Sequence, residues 1–84
     1  MDILRNKINN IDDIILSLIK SRMELSLEIG KFKKKNNLPI FDNNREILVL
    51  NRLKNLNKQS NFKLEDAFIE DIWNNIMSYS KKLQ

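Results

Sequence analysis

The chain has 84 residues, with fifteen Lys and Arg against eleven Asp and Glu, a formal charge of +4, and neither cysteine nor histidine. A chain this short holds one domain at most and buries only about 60% of the surface that its unfolded form exposes, so a single copy is marginal. Without Cys or His there is no disulfide staple, no usual zinc, iron or copper ligand set, and no Ser-His, Cys-His or imidazole-base chemistry. The basic balance favours an anionic partner without naming it.

The sole glycine is Gly30 and the sole proline is Pro39, which leaves little turn chemistry for strands and predicts an all-α fold in one domain over residues 1–84. From the N-terminus, Leu4, Ile8, Ile11, Ile15, Leu18, Leu25, Ile29 and Phe32 fall at alternating steps of four and three, with Arg22 filling the gap. That is the 3.5-residue period of a helical seam. It describes one helix of about thirty residues, roughly 45 Å long. Asn36, Asn37 and Pro39 end it, because proline disfavours helix in the residue before it. Within that helix Gly30 is expected to be weakening by about 1 kcal/mol relative to Ala.

A second helix is expected to begin near Asp42 or Asn43, either of which can cap it. It should bury Ile47, Leu50, Leu53 and Leu56 and fade around Asn57. Residues 58–61 read as a loop, after which Ile69, Ile72, Trp73 and Ile76 mark a third amphipathic helix running to the C-terminus. Three helices, long, short and medium, cannot cover so long a seam within one chain. An intertwined homodimeric helical bundle is therefore expected. No apolar run has the length of a membrane helix or the form of a signal peptide, and a cytoplasmic location is expected.

Several polar residues interrupt this pattern. Arg22 sits within the apolar seam, where a desolvated guanidinium needs either a salt bridge to Glu24, Glu46 or another acid, or an anionic ligand. Lys33 is eleven residues on, about three turns, so it projects from nearly the same face some 16 Å away; it also belongs to the basic run Lys31, Lys33, Lys34 and Lys35. Arg5 lies about 25 Å from Arg22 and about 100° around the helix, too far to share a small ligand within one chain, though within reach of a partner's site in a crossed dimer. Asp42, Arg45 and Glu46 stand at i, i+3 and i+4 at the start of the second helix, where Asp42 suits an N-cap and Glu46 suits the positive end of the dipole. Ser80 and Gln84 continue the line of Trp73 and Ile76, Ser80 as small filler or as a site group, Gln84 as a site group or a fraying terminus.

Taken together, Arg5 in LRNKI, Arg22 in SRMELSLEIGKFK, Lys33, the DNNRE run over 42–46 and the terminal W-x-x-I-x-x-x-S-x-x-x-Q resemble the all-α chorismate mutases in order and spacing over almost the whole chain. The resemblance implies a cofactor-free, metal-free isomerase of aromatic amino acid biosynthesis that converts chorismate to prephenate. It also implies a homodimer whose two sites each borrow one arginine from the partner. By that resemblance Arg22 and the partner's Arg5 hold the two substrate carboxylates, and Lys33 and Gln84 flank the ether oxygen whose bond breaks. Asp42 and Glu46 surround the ring hydroxyl, and Arg45 and Ser80 complete the wall. Arg22, Lys33 and Gln84 are the expected catalytic groups. The missing His and Cys are no obstacle, since a Claisen rearrangement needs restraint of the substrate and stabilisation of charge rather than a base or nucleophile.

Two other readings compete. An isochorismate-pyruvate lyase on the same fold shares the arginines, lysine and terminal glutamine, but the intact Asp42, Arg45 and Glu46 set favours the mutase. A basic helical dimerisation or nucleic-acid-binding module would use Lys31, Lys33, Lys34 and Lys35. It explains the charge but not Arg22 within the seam, so neither nucleic acid nor membrane is an expected partner.

Overall fold

In the computed structural model, which describes residues 1–84, the first helix, α1, spans Asp2–Lys35 and its 34 residues set the long dimension of a 52 × 25 × 16 Å molecule. Its end is a complete Schellman turn built on asparagine. Asn37 adopts the left-handed conformation with φ 54°, the Leu38 amide donates to the Lys33 carbonyl at 2.8 Å, and the Asn37 amide donates to the Lys34 carbonyl at 3.4 Å. Asparagine tolerates this backbone better than other non-glycine residues, so the stop is made by Asn37 itself, two residues before proline acts.

The second helix, α2, spans Asn43–Lys58, and Asp42 caps it by accepting a hydrogen bond from the Arg45 amide at 3.0 Å. The connection that follows covers 59–65 and is longer than the polar stretch alone implies. Asn57 clamps it, its side chain donating to the Leu64 carbonyl at 2.7 Å and accepting from the Leu64 amide at 3.0 Å. The third helix, α3, spans Asp66–Leu83. It packs on α1 and on α2, which do not pack on each other.

This arrangement leaves the seam of α1 open within one chain, as three helices too short to cover it imply, and corrects the expectation about which face of α2 is covered. Along α1, every apolar seam residue from Leu4 to Phe32 is at least 47% exposed in the single chain. What α3 covers is a neighbouring stripe of half-buried or buried residues, Ile19, Arg22, Met23, Ser26, Gly30 and Lys33. It contains Ser26 and Gly30 because small side chains let two helix backbones approach, whereas the apolar seam is too bulky for that contact. Along α2, Ile47 and Leu56 are exposed and Val49 is buried, so the packed stripe runs through Glu46, Val49, Leu50, Leu53 and Asn57 instead. The apolar core of one chain is small: Val49, Ile69 and Met77 are its fully buried hydrophobic residues.

Across α2 and α3, Lys54 pairs with Glu70 and Lys81 with Glu46, so ion pairs fasten the helices at two heights. No helix is long and apolar enough to cross a membrane.

Candidate active site

The C-terminal end of α1, the start of α2 and the last turns of α3 meet around a cavity of about 390 Å3, a size suited to a small metabolite. Seven of the eight residues singled out from the sequence line it: Arg22 and Lys33 from α1, Asp42, Arg45 and Glu46 from the start of α2, and Ser80 and Gln84 from α3. Arg5 does not. It lies on the exposed N-terminal part of α1, five turns from Arg22, and its own chain does not bring it to the cavity.

Packing explains why α1 presents Arg22 and Lys33 here. Ser26 and Ser80 are both buried and share a short hydroxyl-hydroxyl hydrogen bond between α1 and α3, while the Ser26 hydroxyl also lies 3.2 Å from the Arg22 carbonyl. One turn on, Gly30 faces Gln84, the C-cap of α3: a Cβ there would lie 2.7 Å from the Gln84 Cα and 3.0 Å from its carbonyl oxygen. Both contacts are with backbone, so the glycine is required by the close approach. In the sequence Gly30 stands out only as a weakness in the helix, and the apolar period does not mark Ser26. The available signal was two small residues four apart, between Arg22 and Lys33 on one helical face.

Three residues close the polar end. The Lys33 ammonium donates to the Gln84 Oε1 at 2.8 Å and to the Ile40 carbonyl at 2.6 Å, tying α1 both to α3 and to the 36–42 connection. Lys33 is thereby half-buried while its neighbours Lys31, Lys34 and Lys35 remain exposed, which separates it from the solvated basic run. With Oε1 held by the ammonium, the Gln84 carboxamide turns its Nε2 donors away, toward the Ser80 hydroxyl at 3.4 Å. The Gln84 amide also bonds the Ser80 and Lys81 carbonyls at 3.2 and 3.3 Å, which ties the residue to the end of α3.

The charges are unbalanced. Arg22 makes no salt bridge; Glu46, one of its expected partners, is paired instead with Lys81 at 3.0 Å. Within one chain Arg22 therefore has no structural salt bridge. Desolvation pushes the Arg22 pKa below its ordinary value, and the nearby Arg45 guanidinium adds to the shift. Two guanidiniums without carboxylate partners beside one cavity favour an anionic ligand, whose charge offsets both effects. Lys81 also lines the cavity, its ammonium 4.7 Å from the centre of the Phe41 ring. Nothing in the helical period singles Lys81 out, since it sits one residue past the α3 stripe. No group of acidic side chains is arranged to hold a metal ion.

The chain matches the family model described as chorismate mutase type II over residues 4–84. It is 31% identical over 81 residues to the chorismate mutase of Methanocaldococcus jannaschii, an alignment covering 96% of this chain and 80% of that protein. Bifunctional chorismate mutase/prephenate dehydratases are also similar. That of Buchnera aphidicola subsp. Schizaphis graminum is 47% identical over 57 residues, 68% of this chain and 15% of that protein. That of Buchnera aphidicola subsp. Baizongia pistaciae is 37% identical over 76 residues, 90% of this chain and 20% of that protein. This chain spans a fifth or less of the length of these bifunctional relatives, and no solved structure matches it. Both the span of the family model and the relative aligned over nearly the whole sequence lead to one assignment: the chain belongs to the chorismate mutase type II family.

Proposed function

We propose that this chain is one chorismate mutase domain over residues 1–84 and rearranges chorismate to prephenate as a cytoplasmic homodimer, without cofactor or covalent intermediate. The observation that carries the reading is the Lys33–Gln84 hydrogen bond of 2.8 Å at the end of a cavity that also holds the unpaired guanidinium of Arg22. An ammonium and a carboxamide converge on one point, and an anion-seeking arginine stands beside them.

In the rearrangement the ether C–O bond breaks as a new C–C bond forms within one six-membered array, and no proton changes hands. The protein's task is therefore to hold the enolpyruvyl arm over the ring and to stabilise negative charge growing on the ether oxygen. Arg22 holds one substrate carboxylate and the partner subunit's Arg5 holds the other. Lys33 supplies a positive charge to the ether oxygen, and Gln84 supplies an Nε2–H donor because its Oε1 is occupied by Lys33. Asp42 and Glu46 face the ring hydroxyl, with Arg45 and Ser80 as walls. The uncovered seam of α1 supports the homodimer, since eight large apolar residues along one face are a surface that small domains bury in a partner.

The test is the loss of chorismate absorbance on addition of the purified chain, with the product identified as prephenate by acid conversion to phenylpyruvate. Release of pyruvate from isochorismate, with chorismate left unchanged, would assign the lyase instead.

A further inference from the structure

The cavity contains a cation that neither the helical pattern nor the proposed chemistry uses. Lys81 leaves α3 one residue after Ser80, reaches Glu46 of α2 with an N–O distance of 3.0 Å, and stands over the Phe41 ring at 4.7 Å. Both charged side chains are partly shielded, Lys81 at 33% and Glu46 at 23% exposure. Lys81, Glu46, Arg22 and Arg45 all border the same space. Of the two acids there, Asp42 turns one carboxylate oxygen to its own helix, accepting from the Arg45 amide. Glu46 is thus the carboxylate whose charge and position Lys81 controls.

We propose that Lys81 is a positioning residue for Glu46: the ion pair fixes the carboxylate at the cavity wall and cancels the charge that an unpaired Glu46 would present to an anionic ligand. This rests on the reading of the cavity as a chorismate site. A dianion approaching a bare carboxylate is repelled, more so where shielding lowers the effective dielectric. The same carboxylate neutralised by Lys81 still offers a lone pair to a hydroxyl group of the ligand. Phe41 also meets the ammonium through its ring face, so Lys81 links α3, α2 and the 36–42 connection.

The experiment is a cycle of Lys81→Met, Glu46→Gln and the double variant in the full chain, with Lys81→Arg as the conservative replacement, each assayed for kcat and KM with chorismate. Lys81→Met is expected to raise KM about 5-fold, with a smaller change in kcat, as for a shielded ion pair that acts on ligand charge. In the Glu46→Gln background, where no charge needs cancelling, the same substitution should change KM less than about 2-fold. Lys81→Arg should stay near the parent KM. An equal KM penalty with Glu46 or Gln at position 46, or an unchanged KM in Lys81→Met, would overturn the proposal. Absence of turnover by the parent chain would instead overturn the chorismate reading, and the same cycle read in thermal unfolding then decides whether the ion pair exists: additive shifts reject it.

Discussion

Arg22 is the residue whose charge the fold most disfavours. Burial beside α3 removes water from the guanidinium, Arg45 adds repulsion, and no carboxylate compensates. A buried arginine with a structural partner stabilises its fold, and its removal is typically destabilising by 3–5 kcal/mol. An unpaired one does the opposite. Arg22→Ala is therefore expected to leave the melting temperature unchanged or higher while lowering kcat/KM for chorismate on the order of 100-fold or more, as for loss of a group that meets developing or bound charge. Thermal unfolding and steady-state kinetics on one preparation separate the two effects. A large fall in stability with activity retained would return Arg22 to a structural role.

At the level of the helices, the site depends on how closely α3 lies against α1. Ser26 and Gly30 make that approach possible, and the last turn of α3 carries Ser80 and Gln84 into the cavity by virtue of it. On helix propensity alone Gly30→Ala should be stabilising by about 1 kcal/mol. Here the added methyl would lie 2.7 Å from the Gln84 Cα, and since backbone cannot rotate away as a side-chain tip can, α3 has to shift. Gly30→Ala is expected to lower kcat by about 10-fold or more, because small displacements of a charge-stabilising donor are expensive. In a Gln84→Ala background, with that donor already gone, the same substitution should change kcat less than about 2-fold. Equal losses in both backgrounds would mean that Gly30 acts through something other than Gln84.

The molecule as a whole is a rod 52 Å long in which six of 84 residues are buried, well short of what an independent domain of this size needs. The long helix extends past the bundle formed with α3, leaving Arg5 and the first half of the seam without contacts from the same chain. The proposed dimer accounts for both. Mixing Arg5→Ala and Arg22→Ala chains, each inactive alone, should restore about one quarter of the parental activity: half of randomly exchanged dimers are mixed, and each mixed dimer has one of its two sites intact. Sedimentation analysis establishes the exchange. Complete exchange without recovered activity would place Arg5 outside the site.

Helical identity was legible in the chain because its causes are local. Apolar spacing, the lack of glycine and proline inside segments, and the Asp42 cap all act within a few residues, and they located three helices and the element carrying each polar candidate. The polar candidates stood out because Arg22 interrupts an apolar seam and Ser80 and Gln84 extend an apolar stripe, but the pattern left each open between a structural and a site role, and only the resemblance to a family grouped them. What it left open was which stripe of α1 meets α3. The seam was assigned to a partner chain, and no local pattern says that the face for α3 runs through Ser26 and Gly30, where the backbones can come near. Pairing across helices was equally out of reach, since Glu46 had Arg22 as a reasonable partner until the packing angle of α3 brought Lys81 to it. The sequence by itself determined the helices and which polar residues each of them carries. Only the tertiary structure decided which faces meet and which charges remain unpaired, because those depend on distances between segments that no local pattern encodes.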